Sequence, residues 1–127
     1  MPKSCLDCDG KCILKIVIDI HGTQKDLNVL IDTGFTSGTG FGLKLPLNLV
    51  RYARFTGTGR VRVADNREVD CDSIPNAKII QIDAHKLNDA ITIPAIFMDG
   101  TQCIGMMFIQ DCQFNVDGPK KVATLSF

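Results

Sequence analysis

Tryptophan is absent, tyrosine occurs once, and aromatic residues make up only 6% of the chain. So sparse a set offers no stacking platform for single-stranded nucleic acid. An excess of charge of either sign is also missing, because 14 basic residues balance 14 acidic ones. That excludes the electrostatic footprint of a nucleic-acid binder or of a protein held on an anionic membrane. Long apolar runs are lacking too, and none approaches the ~20 residues that a membrane-spanning helix needs. The opening Met1-Pro2-Lys3-Ser4-Cys5-Leu6-Asp7 has no apolar stretch of the secretory kind. Taken as the native start, it predicts a soluble, cytoplasmic protein, although a leader or tether removed earlier would leave no trace. Histidine is scarce: His21 and His85 stand far apart, and neither joins a metal-ligand spacing. The glycine-rich stretches lack the Lys-Ser/Thr of a phosphate-binding loop. No metal or other cofactor is expected.

What remains is a 127-residue chain, 45% hydrophobic, long enough to bury one core without help from disulfides. Six cysteines fall into two groups. Cys5, Cys8 and Cys12 form C-x2-C-x3-C in a polar, glycine-containing segment. A structural zinc site normally takes four ligands, and none nearby completes the set. Residues 1–12 are therefore expected to form a mobile tail with reduced thiols; the sharper alternative is a metal shared between the tails of a dimer. Cys71, Cys103 and Cys112 lie in apolar, strand-like surroundings and are expected as small core residues.

The dominant pattern is period two. Leu14, Ile16, Ile18 and Ile20 alternate with Lys15, Val17 and Asp19, the signature of a strand with one buried face. Residues 21–24 supply a turn and residues 27–31 a second strand. Asp32-Thr33-Gly34 then stands where a strand gives way to a loop, the usual place for catalytic groups on a rigid sheet. The glycines between residues 34 and 42 argue against helix. Residues 45–53 are the one helical candidate, opened by Pro46. Residues 60–63 and 68–71 flank a polar turn and predict an exposed hairpin. Further strands over 78–83, 90–98, 112–116 and 122–127 bring the count to roughly eight, each near the usual length. The chain is expected to be all-β and closed like a barrel, which would protect the strand edges. The domain boundaries expected are a tail over 1–12 and one domain over 13–127.

Asp-Thr-Gly alone is weak evidence, since all three are turn residues and an Asx-type turn explains them. As chemistry it means more. Two carboxylates sharing one proton can hydrolyse an amide, one taking a proton from water while its protonated partner polarises the carbonyl. The chain has one such Asp, so the mechanism requires a two-fold homodimer that brings Asp32 of each subunit to the axis. Thr33 could then hydrogen-bond across the interface, and Gly34 would let the backbone approach the dyad.

Four segments together resemble the single-domain, retropepsin-like aspartic proteases, especially their prokaryotic members, over residues 11–127. Val29-Leu30-Ile31-Asp32-Thr33-Gly34-Phe35-Thr36 resembles the active-site strand and loop, and Leu45-Pro46 the Leu-Pro that follows. Residues 57–69 resemble the flap hairpin, with Ala64, Asp65, Asn66 and Arg67 at its tip. Cys103-Ile104-Gly105-Met106-Met107-Phe108-Ile109 resembles the apolar-apolar-Gly segment behind the active-site loop, followed by a helical turn. The resemblance implies an acid protease (retropepsin) fold with one short helix and one lobe per chain. It also implies a peptide or protein substrate cleaved between two Asp32 carboxylates, with hydrophobic residues flanking the scissile bond. The C-terminal strand is expected to pair with its symmetry mate. Departures are Phe35 where viral members carry Ala, Cys103 where an aliphatic residue is usual, and the glycine-rich loop after Asp32. The rival reading is a peptide-binding or dimerisation module of the same fold that cleaves little or nothing.

Overall fold

Alternation builds the first hairpin as expected. In β2 (Ile13–Ile20), Leu14, Ile16, Ile18 and Ile20 are at most 2% exposed, while the residues between them face outward. β2 pairs antiparallel with β3 (Thr23–Ile31) across a turn at His21 and Gly22. The computed structural model describes residues 2–63 and 65–127. Within them the remaining strands are β1 (Lys3–Asp7), β4 (Leu43–Leu45), β5 (Gly57–Arg62), β6 (Glu68–Ile82), β7 (His85–Phe97), β8 (Cys103–Ile104), β9 (Gln113–Asp117) and β10 (Val122–Ser126). One turn of α-helix, α1 (Met106–Ile109), follows β8.

The larger sheet runs β2-β3-β8-β4-β7-β6-β5, and β2 pairs also with β6. The sheet thus closes on itself, with β5 continuing it beyond the ring. The fold is all-β and ring-like, as expected. β6 makes closure possible because it is long enough to serve two neighbours on one edge. Its first half pairs with β5 and its second half with β2, while β7 runs along the other edge. The β6–β7 register shifts between Ile74 and Ala77, where Pro75 has no N–H to give the ladder. Inside the ring, Leu14, Ile18, Val29, Leu43, Ile79 and Phe97 are at most 1% exposed. Each such side chain contributes about 1.5–3 kcal/mol over leaving it in water.

Several expectations are corrected. The segment expected to be a tail contains β1, which pairs with β10 from Lys3 opposite Ser126 to Asp7 opposite Val122. Ser4, Leu6 and Cys8 alternate inward, all 7% exposed or less. This burying face is hidden in the sequence because two of its three residues are Ser and Cys. Cys8 and Cys12 are joined in a disulfide and are not reduced thiols. The C-terminal strand does not await a symmetry mate, because β10 lies between β1 and β9 of its own chain and both its edges are occupied. The helical candidate over 45–53 is a 3-10 helix, Leu47–Tyr52, with Leu49 buried beneath it. Of the three cysteines expected in the core, Cys103 is buried, whereas Cys71 and Cys112 are only partly so. No helix among the described residues is long and apolar enough to cross a membrane.

Candidate active site

Asp32 follows the last residue of β3, and the two-residue strand β8 sets its position. β8 lies between β3, to which it is parallel, and β4, to which it is antiparallel. The Leu30 amide donates to Gln102 O at 2.8 Å and the Asp32 amide to Ile104 O at 3.0 Å. Beyond Asp32, the Met106 amide donates to Phe35 O at 2.8 Å, and the Gly105 amide to Gly42 O at 3.0 Å. The aspartate loop is therefore tied at both ends to the β8–α1 segment.

Gly105 is required by this closeness. A Cβ there would meet the Phe35 carbonyl oxygen and sit 2.9 Å from Phe35 Cγ. Ile104 is fully buried behind the loop. The expected Ile104 and Gly105 are thus beside Asp32 in space as well as in motif.

The Asp32 side chain belongs to a half-buried residue. Its Oδ1 accepts the Gly34 amide at 2.9 Å, and the Asp32 carbonyl accepts the Phe35 amide at 3.1 Å. This is an Asx-type turn, but the carboxylate also opens into a cavity of about 380 Å³. Gly34, Lys44 and Cys103 border that cavity with Asp32, and Val61 and Val63 border it from the hairpin. Its walls are mixed, apolar Ile96 and Met98 beside polar Thr39 and Arg62, so the carboxylate stands in a cleft with a few placed polar groups, the usual make-up of a ligand site. Thr33 is exposed beside it.

The expected hairpin is present, and among the described residues Val61, Arg62 and Val63 of its stem border the Asp32 cavity, whereas Asp65, Asn66 and Arg67 do not. Asp65, Asn66 and Arg67 are exposed in the turn; Ala64 lies outside the described residues. The Val63 amide donates to Arg67 O at 2.9 Å, and Asn66 takes a left-handed φ of 67° with its amide on Val63 O. Arg67 Nε meets Asp65 Oδ2 at 2.6 Å, and Arg62 reaches Asn66 Oδ1 at 3.1 Å. These polar links shape the tip and leave Val61 and Val63 to line the cleft.

Two neighbours of Asp32 escape a reading of the sequence for site residues. Cys103 stands out there only as a departure from the family pattern, yet its buried thiol borders the same cavity. Burial first, then the Asp32 carboxylate, push that thiol above the usual range, while Lys44 pulls the other way. Lys44 carries a usable signal: it interrupts Leu43 and Leu45, both fully buried, so it must point to the opposite face of β4. Among the described residues no group of three His, Cys, Asp or Glu side chains is placed to hold a metal ion.

No family model matches the sequence, and no curated protein does. Among solved structures, the fold is similar to the crystal structure of a retropepsin-like aspartic protease from Rickettsia conorii, with a TM-score of 0.58 and 14% sequence identity. The match covers 99% of this chain and 91% of that one. At that identity the similarity establishes the retropepsin-like fold.

Proposed function

We propose that this protein is an aspartic endopeptidase in which two copies of the chain, related by a two-fold axis, each contribute Asp32 to one catalytic dyad. The observation that carries the reading is the setting of the Asp32 carboxylate. It follows the buried Val29 and Ile31 at the end of β3, one oxygen held by the Gly34 amide, and opens into a cleft roofed by a hairpin. Thr33 and Gly34 are exposed beside it, so the loop is accessible to a second copy.

In that dimer two like charges a few ångströms apart cannot both ionise easily, so the pair holds one proton over a window of pH. A water between the carboxylates loses its proton to the ionised member while the protonated one polarises the scissile carbonyl. The Gly34 amide steadies the carboxylate, and the β5–β6 hairpin covers an extended peptide and excludes water. Asp65, Asn66 and Arg67 would move with that hairpin as its tip.

The test is peptide hydrolysis by wild type and Asp32→Asn from acidic to neutral pH. Asn can still accept the Gly34 amide, so the fold should persist while the rate falls by at least about 100-fold, the scale of acid–base catalysis. Specific activity should also fall on dilution through the dimer dissociation range. Equal rates for wild type and Asp32→Asn at every pH would reject the reading.

A further inference from the structure

We infer that Lys44 makes the cleft selective for substrates carrying a carboxylate side chain close to the scissile bond. The inference rests on the peptidase reading above for the identity of the bound chain, and on the geometry of β4 for the choice of residue.

Lys44 is the middle residue of a three-residue strand whose other two side chains are fully buried in the core. Strand alternation therefore turns Lys44 to the face opposite the core. Its register partners are Cys103 on β8 and Ile96 on β7, and both border the Asp32 cavity with it. The lysine stem thus crosses the cleft wall one strand away from the residue that neighbours Asp32.

Its ammonium is uncommitted. No carboxylate among the described residues lies within 4.0 Å of it, Asp32 included, whereas Arg62, the other cation at the cleft, is paired with Glu68 at 3.4 Å. The Lys44 ammonium extends towards the β7–β8 loop, where a Cβ built on Gly100 would be 3.4 Å from Nζ. Its field reaches the thiols of both Cys103 and Cys71. Around it the walls are mixed, with apolar Val61, Ile96 and Met98 bordering the same space as polar Thr39 and Arg62. An unpaired, half-buried cation gains more from an anionic partner than a fully exposed lysine does, because less water screens the pair. A glutamate or aspartate side chain of an extended peptide supplies that partner while its neighbours fill the apolar subsites. In a two-fold dimer a second Lys44 lies symmetrically across the dyad, so acidic residues on both sides of the cut are favoured.

The experiment uses one set of hydrophobic octapeptides differing only by Glu, Gln or Lys at each position near the cut. Hydrolysis is measured with wild type, Lys44→Gln and Lys44→Glu. Binding of the same peptides is measured on the Asp32→Asn background, where none is consumed. At one or more positions wild type should prefer Glu over Gln by about tenfold, the scale of one charge-assisted contact. The preference should appear in KM and in Kd. Lys44→Gln should bring the ratio to about one, and Lys44→Glu should turn it towards Lys. Cleavage without any Glu preference would overturn the role of Lys44 and leave the peptidase reading intact. Glu-selective binding lost in Lys44→Gln, with no Asp32-dependent cleavage, would support Lys44 and sink the peptidase reading. Failure of every peptide to bind would overturn the role of Lys44 as well.

Discussion

The amide of Asp32 donates to the carbonyl oxygen of Ile104 at 3.0 Å, and that bond makes the aspartate loop and β8 one mechanical unit. Anything that moves Ile104 moves the carboxylate. The site therefore depends on residues that never touch a substrate, Gly105 first among them.

Gly105→Ala should displace the loop. The new Cβ would meet the Phe35 carbonyl oxygen as well as its ring, and forcing such a contact costs about 1–3 kcal/mol. A urea titration should show that loss, and peptide hydrolysis should fall with it. Adding Phe35→Ala should not restore stability, since the backbone oxygen remains in the way. A wild-type urea midpoint for Gly105→Ala would contradict the close approach.

Burial is the leading cause that pushes the thiols of Cys71, Cys103 and Cys112 above the ordinary value of 9.0. Each group therefore holds its proton to higher pH when folded than when unfolded. The unfolded chain loses protons first, so the associated stability is fully present below the ordinary thiol range and declines as pH climbs through it. The urea midpoint should stay level across neutral pH on this account and fall on the alkaline side, and Cys103→Val should flatten part of that fall. An alkaline rise in stability would show the thiols to be set differently.

The Cys8–Cys12 disulfide closes a very short loop, with a sequence separation of 4. Chain-entropy reasoning gives so short a loop about 2 kcal/mol. Reduction should lower the unfolding free energy by about that much. It should leave the protein folded, since Leu6 and the β1–β10 ladder still hold the segment. Unfolding measured with and without a reductant checks this; collapse of the fold on reduction would contradict it.

Much of the ring is legible in the sequence because its signals are local. The four inward aliphatic residues of β2 announce a strand, and Asp32 at the end of β3 announces a loop on a sheet. Gly105 is legible as part of a motif, although its reason, the approach of Phe35, is tertiary. β1 is not legible because Ser4 shares its buried face with Leu6, so the hydrophobic alternation is diluted. β6 reads as separate pieces because Pro75 interrupts it, and only the register shift at that point lets one strand pass through. Lys44 is easily passed over because a lysine between leucines is ordinarily a solvated residue; it takes the neighbouring strands to show that its face of β4 is the cleft.

The pairing of Lys3 with Ser126 also sets an order of assembly. At a synthesis rate of about 5–20 residues per second, β1 leaves the ribosome on the order of ten seconds before the partner that covers it. Until then the inward side chains of β1, Leu6 among them, have no sheet to join. A strand made well before its partner is thus placed late, and slow, non-local folding follows from the distance in sequence between β1 and β10.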